Sequence, residues 1–555
     1  MTTKEKKTPL VAIGWDGTTW DLLRPWLEEG KLPNLAALMD RGSYGPIKST
    51  PVPVSPAAWT TIITGQNPAK HGVFDWFARR PGRYDVEYVH TAQIRSRPLW
   101  EYVNQAGKRV GVMSLPMIYP AVAVEGFMFS GMAAPNANAT DFAYPPELLS
   151  ELETGFGPYQ LVESNLYKHG RETEYLQGVL DWLAYQEQTI HHLIQHHPCD
   201  VYLLVFMQPD HVHHKLWRCL DEDFPGYDPQ HKDAILKVYQ ALDDVLGRLV
   251  ERFSEANYML FSDHGAGPMY GVMYVNRWLN EEGFLHLRKS FSTNLKYWLA
   301  KTNIIMRIYR IVAKFGLGNL AKLASKQARN KMVGSFLSFN DVDWLHTKAY
   351  ARGAFGQIFI NLKGREPEGI VEPGQDYEQL CQEIIDRLYD LKHPETGEPL
   401  ITDIKRKEDV YAGPYLEQAA DIIFSIQNYL YQTSVKFGLE SKGILGPSEY
   451  EDSGTHREKG IIVMAGPDIQ KGQKLASAEL IDILPTLLVL ADVPVPTYVD
   501  GHPLQEVFSQ ALKERISFYN EEDESTQKGA DQSPEMSAGE VSALEDRLRD
   551  LGYLG

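Results

Sequence analysis

Short apolar segments alternate along this chain with longer amphipathic ones, and most apolar segments end on polar residues. Five such segments are PLVAIG (9–14), KRVGVMSLP (108–116), DVYLLVFMQPD (200–210), NYMLFSDHG (257–265) and GIIVMAGP (460–467). Continuous apolar runs of this length are typical of strands buried in a parallel sheet. Helical periodicity predicts helices in KDAILKVYQALDDVLGRLVERF (232–253) and ELIDILPTLLVLADV (479–493). The alternation predicts an α/β fold, with a mainly parallel sheet sandwiched by helices.

The length, net charge and cysteine content of the chain exclude several classes of protein. With 555 residues, the chain is long enough for one large α/β domain with insertions, or for two domains. Its net charge of −18 argues against a general nucleic-acid-binding protein, so no nucleic-acid partner is expected. Cys199, Cys219 and Cys381 have no disulfide or zinc-ribbon spacing, which fits a reducing compartment. No stretch has the length of a signal or transmembrane segment, so a cytoplasmic location is expected.

Two segments differ in composition from the rest. Residues 288–331 contain eleven Lys and Arg and no Asp or Glu. We expect this segment to form a helical cap, in preference to a peripheral membrane contact or a contact with an anionic substrate. Residues 520–540 are polar and acidic, as in flexible linkers, and leucines at helical spacing follow them. The expected organisation is a catalytic core in two parts (1–284 and 341–515), a basic, helical insertion (285–340), and an acidic linker with a C-terminal docking helix (516–555).

A single serine, Ser55, lies between prolines in TPVPVSPAAWTTIITGQNPAKHG (50–72). Proline is favoured in the first turn of a helix, so we predict that a helix begins near Pro56 and that Ser55 is its N-cap. The same position suits a nucleophile, because the positive end of the helix dipole would stabilise an oxyanion there. Considered alone, Ser55 is interpreted as a cap, since caps are far commoner than nucleophiles.

Carboxylates and imidazoles lie next to several of the predicted strands. The residues concerned are Asp16 in GWDG, Asp210 and His214 in DHVHH, Asp263 and His264 in SDHG, and His456 in GTHR. Divalent cations prefer this mixture of ligands, and open α/β sheets bind ligands beyond the carboxyl ends of their strands. Each motif alone has an ordinary structural explanation, such as a turn or an N-cap. The histidines at 191–192 and 196–197 end a predicted helix and are interpreted as structural.

The four motifs in this order, with a proline-flanked serine after the first, resemble the alkaline phosphatase superfamily. Within it, the type I phosphodiesterase/nucleotide pyrophosphatase branch is the most similar, over about residues 8–505. The stretch at 343–374 and the ending EDRLRDLGYLG resemble a bacterial and archaeal subgroup of predicted phosphohydrolases or phosphomutases. The resemblance implies an alkaline-phosphatase-like fold and two metal sites.

The resemblance also implies roles for individual residues. One metal site would use Asp16, Ser55, Asp263 and His264, and the other would use Asp210, His214 and His456. Ser55 would be the nucleophile. Two divalent ions are expected, with Zn²⁺ preferred to Mn²⁺, although mixed carboxylate and imidazole ligation suits both. His211 and His213 match no ligand position and are interpreted as outer or packing residues.

The implied activity is that of a two-metal phosphohydrolase that cleaves small-molecule phosphate mono- or diesters through a phosphoseryl intermediate. A phosphomutase or phosphotransferase with the same site is the first alternative, and a membrane-surface binding protein using residues 288–331 is the second. Trp76 stands where the diesterase branch has an asparagine that holds a phosphoryl oxygen, which counts against specificity for nucleotide diesters. SPAAW lacks the Arg and Ser of the sulfatase signature, which argues against a sulfatase.

Overall fold

The computed structural model describes residues 9–290, 339–520 and 538–550, apart from residues 81, 140, 440, 449 and 450. Most of the predicted basic insertion (285–340) and of the predicted linker therefore lies outside the described residues. The same holds for the expected membrane or anionic-substrate contact through 288–331. Among the described residues, no helix has the length and apolarity needed to cross a membrane.

Strands occur throughout the described chain. The first nine are β1 (Leu10–Trp15), β2 (Gly42–Lys48), β3 (Phe77–Arg79), β4 (Val86–Tyr88), β5 (Val110–Leu115), β6 (Gly126–Ser130), β7 (Ala143–Tyr144), β8 (Val201–Phe206) and β9 (Asn257–Phe261). The next are β10 (Gly265–Pro268), β11 (Gly271–Tyr274), β12 (Ala349–Ala351), β13 (Gln357–Ile360), β14 (Ile401–Arg406), β15 (Ile422–Ile426) and β16 (Tyr431–Ser434). The last are β17 (Leu445–Gly446), β18 (Gly454–Arg457), β19 (Lys459–Ala465), β20 (Ala478–Glu479), β21 (Val495–Pro496) and β22 (Phe518–Tyr519).

Helices connect many of these strands. Between residues 9 and 290 they are α1 (Trp20–Glu28), α2 (Pro33–Asp40), α3 (Ser55–Thr64), α4 (Pro68–His71), α5 (Leu99–Gln105), α6 (Glu147–Phe156), α7 (Glu172–His196), α8 (Gln208–Leu220), α9 (Ala234–Arg252) and α10 (Val275–Glu281). Later helices span Gln375–Tyr389, Lys407–Val410, Ile483–Leu490, Gln510–Lys513 and Ala538–Asp550. The strands and helices predicted from apolar patterning all occur, within a few residues of their predicted limits.

A nine-stranded sheet forms the centre of the molecule, in the order β20-β2-β19-β9-β1-β8-β5-β6-β7. β1 pairs in parallel with both β8 and β9, and β8 pairs in parallel with β5, so the predicted mainly parallel α/β sheet is confirmed. β19 differs, since it runs antiparallel to both β9 and β2. The register aligns Gly14 of β1 with residues near the ends of β8 and β9. The strands that precede Asp16, Asp210 and Asp263 therefore end at one edge of the sheet.

Helices cover both faces of this sheet. In β1, Leu10 and Ala12 pack into one hydrophobic core, whereas Val11 and Ile13 pack into the other. This alternation follows from the strand geometry, in which successive side chains point to opposite faces. Apolar residues of α3, α5 and Ile483–Leu490 complete the first core, and those of α1, α2, α7 and α9 complete the second.

A second, seven-stranded sheet lies beside the first, with its own hydrophobic core. Its order is β12-β13-β15-β16-β11-β17, and β14 pairs with β15. Sequence patterning does not predict this sheet, because strands such as β11 and β16 have only four residues each. So short a strand shows little alternation, and its pairing is decided by distant parts of the chain.

The C-terminal helix Ala538–Asp550 packs against the core on one face of the central sheet. Leu544 and Leu548 are buried there. Arg547 donates hydrogen bonds to the carbonyl oxygens of Met132 (3.2 Å) and Pro135 (2.5 Å). The helix is thus held by apolar burial and by hydrogen bonds to the backbone. Leu551, the third leucine of the predicted docking helix, lies outside the described residues.

Candidate active site

The aspartates that follow β1 and β9 converge with an adjacent histidine. His264 Nε2 lies 3.6 Å from Asp16 Oδ1 and 3.3 Å from Asp263 Oδ2, and all three side chains are fully buried. None of these three atoms accepts a hydrogen bond within the part of the chain that the structure describes. Buried polar atoms rarely lack a partner, and three acceptors around one point suit a divalent cation. Asp16, Asp263 and His264 therefore form a candidate metal site.

A second group lies beside the first, on α8 and β18. His214 and His456 face each other with their Nε2 atoms 3.0 Å apart, and each Nε2 atom is 3.5 Å from Asp210 Oδ1. Asp210, His264 and His456 also bring their ligand atoms within 4.8 Å of one another. The rings of His264 and His456 stack with 3.7 Å between their centroids. His264 thus contacts both groups, which makes them neighbouring parts of one centre.

The local fold explains how these distant residues meet. Asp210 and His214 are four residues apart on α8, so their side chains lie on the same face of the helix. His456 reaches them because β18 pairs with β10, where Ala266 is opposite His456. Since β10 follows directly on the polar end of β9, this antiparallel ribbon brings the late histidine to the end of the central sheet.

Backbone carbonyls orient two of the histidine rings. His264 Nδ1 donates a hydrogen bond to the carbonyl oxygen of Gly265 (2.9 Å), and His456 Nδ1 donates to that of Pro53 (2.7 Å). In a neutral imidazole with a protonated Nδ1, the Nε2 atom keeps its lone pair. Burial lowers the pKa of His456 well below its usual value, which keeps this ring neutral. Both rings therefore direct Nε2 lone pairs into the centre, as metal ligation requires.

Burial and mutual repulsion govern the carboxyl groups. Burial first, and then repulsion from Asp263 and Asp210, raise the pKa of Asp16 well above its usual value. Burial also raises the pKa of Asp263. Three carboxylates this close together are unfavourable unless positive charge is present, and a bound divalent cation would supply that charge. The set of ligands thus fits a divalent metal in its chemistry as well as in its geometry.

Ser55 is the first residue of α3, and its position corrects one prediction. The N-cap is Val54, whose backbone is extended, and no side chain caps this helix. The predicted N-cap role of Ser55 is therefore wrong by one residue, because the helix begins before Pro56. Ser55 Oγ is buried and has no hydrogen-bond partner among the described residues. A buried hydroxyl without a structural partner, at the positive end of a helix, is suited to a chemical role.

Contacts on both sides of Ser55 connect it to the two groups. Two residues before it, Pro53 accepts the hydrogen bond from His456. Four residues after it, Trp59 Nε1 donates to Asp16 Oδ2 over 2.8 Å. Neither contact could be predicted from the sequence. A tryptophan within an apolar helix is ordinarily a core residue, and a backbone carbonyl such as that of Pro53 carries no sequence motif. Residues on both sides of Ser55 thus contact one group of ligands each.

Other histidines of the same motif have ordinary hydrogen-bonding partners. His211 Nδ1 donates to Glu163 Oε2 (2.8 Å), and His213 Nε2 is hydrogen bonded with Tyr239 Oη (3.2 Å). These contacts agree with their interpretation as outer or packing residues. Glu163 could not be found from the sequence, because it lies in an irregular loop without a recognisable motif.

A third cluster, formed by Glu172, Asp228 and His231, also has ligand atoms close together. Its atoms are already engaged. Arg218 Nη2 donates to Glu172 Oε1 (2.9 Å), and His231 is hydrogen bonded to Asp228 Oδ2 (2.8 Å) and Thr173 Oγ1 (3.0 Å). Arg218 therefore already pairs with Glu172, and His231 with Asp228, which makes this cluster a poor metal site.

Trp76, which the resemblance aligned with the diesterase asparagine, is a core residue. It is buried in the core on one face of the central sheet. Its neighbour Asp75 is also buried and accepts a hydrogen bond from Gln357 Nε2 (2.6 Å). Burial raises the pKa of Asp75 to about 6. Position 76 therefore offers no amide group to a phosphoryl oxygen.

Comparison with known proteins identifies a family for this chain and supports its fold. A family model described as type I phosphodiesterase / nucleotide pyrophosphatase matches residues 10–457. Phosphonoacetate hydrolase from Sinorhizobium meliloti 1021 is 14 % identical, with 87 % of this chain and 96 % of that chain covered and a TM-score of 0.52. Human ectonucleotide pyrophosphatase / phosphodiesterase 5 is 12 % identical, with 90 % and 100 % covered and a TM-score of 0.48. No curated protein sequence matches this chain.

The family match spans both halves of the candidate site, from β1 to β18. The phosphonoacetate hydrolase has the same fold, with a large sheet between helices. The family is metal-dependent, which agrees with the two groups of carboxylates and imidazoles. The chain therefore belongs to the type I phosphodiesterase / nucleotide pyrophosphatase family of the alkaline phosphatase superfamily, and it is a hydrolase that acts on phosphoric esters.

Proposed function

We propose that the protein is a two-metal-ion phosphohydrolase that cleaves phosphate mono- or diesters through a phosphoseryl intermediate on Ser55. The observation that carries this proposal is the meeting of two groups of buried carboxylates and imidazoles around His264. Ser55 begins a helix that contacts one group through Trp59, and Pro53 before it contacts the other. Paired metal sites act on both ends of an in-line displacement at phosphorus.

The proposed ligands form two sets, supported by the two groups of neighbouring carboxylates and imidazoles. One ion would be held by Asp16, Ser55, Asp263 and His264, and the other by Asp210, His214 and His456. Zn²⁺ is preferred to Mn²⁺ because three of the ligands are imidazoles. When bound, such ions lower the pKa of a nearby hydroxyl group and neutralise charge on phosphoryl oxygens.

Ser55 Oγ is the proposed nucleophile. A bond forms between Oγ and phosphorus while the bond from phosphorus to the leaving oxygen breaks; the serine proton passes to solvent, and the leaving alcohol takes a proton from solvent. Because Ser55 is the first residue of α3, a phosphoryl group attached to its Oγ would lie at the positive end of the helix dipole. Water then breaks the bond between Oγ and phosphorus, which releases the phosphoryl group and restores the serine.

The substrate is proposed to be a small-molecule phosphate ester. Trp76 is buried and carries no amide, so nucleotide diesters gain nothing from that position over monoesters. A panel of a nitrophenyl monoester, a nitrophenyl diester and nucleoside diphosphate compounds, measured on protein of known metal content, tests this preference. A nucleotide-diester rate far above every monoester rate would contradict it.

A phosphomutase or phosphotransferase is a second candidate, and one observation favours it. Each of the seven proposed residues is at most 1 % exposed. A site that excludes water protects a phosphoseryl group from hydrolysis and favours its transfer to a second hydroxyl. Hydrolysis remains the first proposal because the chain belongs to a family of hydrolases.

Rapid acid quench with a substrate that carries radiolabelled phosphate, followed by peptide mapping, tests both proposals. We expect label on the peptide that contains Ser55, and none in Ser55→Ala. Ser130→Ala is a matched control, since Ser130 Oγ is also buried without a hydrogen-bond partner among the described residues. Release of free phosphate supports the hydrolase, whereas label recovered only in a second ester supports the mutase. Full turnover by metal-loaded Ser55→Ala would overturn both.

A further inference from the structure

We propose that Trp59 is a positioning residue, which leaves one oxygen of Asp16 for the metal and holds the Ser55 helix against that carboxylate. This inference rests on the proposed function, since it assigns a role toward the same site. The polar contact of Trp59 is with Asp16, a ligand of the first group. Its effect is therefore exerted through Asp16 and through α3.

The hydrogen bond distinguishes the two oxygens of Asp16. Trp59 Nε1 donates to Oδ2 over 2.8 Å, and both side chains are completely buried. Oδ1 accepts no hydrogen bond among the described residues and lies 3.6 Å from His264 Nε2. A carboxylate whose second oxygen is held by an N–H donor binds a cation through one oxygen. The indole achieves this without adding a positive charge that would compete with the cation.

The position of Trp59 on the helix extends this effect to the nucleophile. Trp59 follows Ser55 by four residues, so the two side chains lie on the same face of α3, about one turn apart. A rotation or shift of α3 that displaced Ser55 would also break the hydrogen bond to Asp16. The indole N–H therefore couples the position of Ser55 to the position of a metal ligand.

The ring of Trp59 also packs against both strands that carry the first group of ligands. A Cβ atom on Gly14 would lie 2.2 Å from Trp59 Cη2, so glycine is required for the ring to cross β1. The ring of Phe261, two residues before Asp263, has its centroid 5.9 Å from that of Trp59. Trp59, which belongs to the same helix as Ser55, thus packs against β1 and β9 near the ends that precede Asp16 and Asp263. A phenylalanine could fill much of this space but could not donate to Asp16.

The experiment compares Zn²⁺ affinity in three proteins, prepared metal-free and titrated in competition with a chromophoric chelator. Trp59→Phe should weaken Zn²⁺ binding at one of the two sites by about 10–100-fold, the usual effect of removing a hydrogen bond to a metal ligand. Trp278→Phe is the matched control, because Trp278 is equally buried and its Nε1 has no partner among the described residues. It should bind Zn²⁺ as the wild type does. Equal affinity in all three proteins would overturn the inference.

A second variant separates the N–H group from the shape of the ring and guards against misfolding of Trp59→Phe. Trp59 can be replaced site-specifically by 3-benzothienylalanine, in which sulfur takes the place of the N–H group. With Co²⁺ as the probe, loss of the donor should release Oδ2 to the metal, raise the coordination number and weaken the visible absorption. An unchanged Co²⁺ spectrum and Zn²⁺ affinity would show that Trp59 only packs. Wild-type protein that binds no Zn²⁺ would instead contradict the proposed function.

Discussion

The Nε2 atoms of His214 and His456 lie 3.0 Å apart in the interior of the protein, although 242 residues separate these histidines in the sequence. His456 donates from Nδ1 to the carbonyl oxygen of Pro53, so its Nε2 lone pair is directed toward His214. Each Nε2 atom is also 3.5 Å from Asp210 Oδ1. Two imidazoles and a carboxylate at this spacing suit a shared cation. Metal content is therefore a direct measure of this part of the proposed site.

We expect His456→Ala to bind one divalent ion tightly where the wild type binds two. The reason is that Asp16, Asp263 and His264 remain in the variant, whereas the second group loses one of its three ligands. Elemental analysis after gel filtration measures the metal content, and turnover should fall at least about 100-fold. His192→Ala, which removes a partly exposed histidine that contacts Glu151, should keep both ions. Two tightly bound ions in His456→Ala would contradict the assignment of His456.

Ser55→Ala should lose activity but very little stability. Ser55 Oγ has no hydrogen-bond partner among the described residues and Val54 is the N-cap, so the substitution removes no cap. We expect the free energy of unfolding of the metal-free protein to change by less than about 0.5 kcal/mol, compared with about 1 kcal/mol for loss of a true cap. Urea denaturation measures this difference. A loss above about 1 kcal/mol would show that the hydroxyl group does cap α3.

Asp75→Asn should stabilise the protein at neutral pH and have no effect at low pH. Burial raises the pKa of Asp75 to about 6, so the folded state binds a proton more tightly than the unfolded state, whose pKa is about 4. Wild-type stability contributed by this group is highest below about pH 4 and falls as the pH rises to about 6. The loss amounts to up to about 3 kcal/mol, and the uncharged Asn avoids it.

Unfolding midpoints of Asp75→Asn and wild type, measured between acid and neutral pH, test this expectation. The amide of Gln357 can rotate to face either group of the new Asn, so the hydrogen bond to position 75 can be kept. Asp85→Asn, at an exposed carboxylate that pairs with Arg83, should leave the pH profile unchanged. Parallel profiles for Asp75→Asn and wild type would refute the raised pKa.

Asp421→Asn should destabilise the second sheet. Asp421 is fully buried, with Arg365 Nη2 at 2.6 Å from Oδ2 and Lys407 Nζ at 3.1 Å from Oδ1. Burial alone would raise its pKa, but hydrogen bonds and attraction from Arg365, with Lys407, hold the pKa well below its usual range. The stabilisation is therefore present above about pH 4 and is lost as the pH falls further.

Loss of the Asp421 charge removes the fully buried carboxylate that Arg365 and Lys407 share, and leaves Arg365 with Glu366 (3.2 Å) and Lys407 with the exposed Glu417 (3.0 Å). We therefore expect a cost of about 3 kcal/mol at neutral pH. Chemical denaturation measures it. Asp403→Asn, at a more exposed carboxylate beside Lys405, should cost less than about 1 kcal/mol. Equally small effects of Asp421→Asn and Asp403→Asn would show that the ion pairs of Asp421 contribute little to the free energy of unfolding.

Local patterning was enough to predict the central sheet and much of the candidate site. The strands before Asp16, Asp210 and Asp263 are continuous apolar runs, and the ends of parallel strands meet at one edge of a sheet. Asp210 and His214 are four residues apart on one helix, which is also a local relationship. His456 was predicted only through its resemblance to a family motif, because the ribbon that places it is formed by pairing with β10.

By itself, the sequence determined the class of fold, because apolar patterning depends on residues close together along the chain. The candidate metal-binding side chains were predicted from motifs beside the strands and from their resemblance to a family. Tertiary structure alone decided that Val54 and not Ser55 caps α3, and that Trp59 donates to Asp16. It also decided the second sheet, whose short strands are stabilised by partners far away in the sequence. The physical reason is that these features depend on the distance and direction between side chains brought together by packing, which local propensity does not contain.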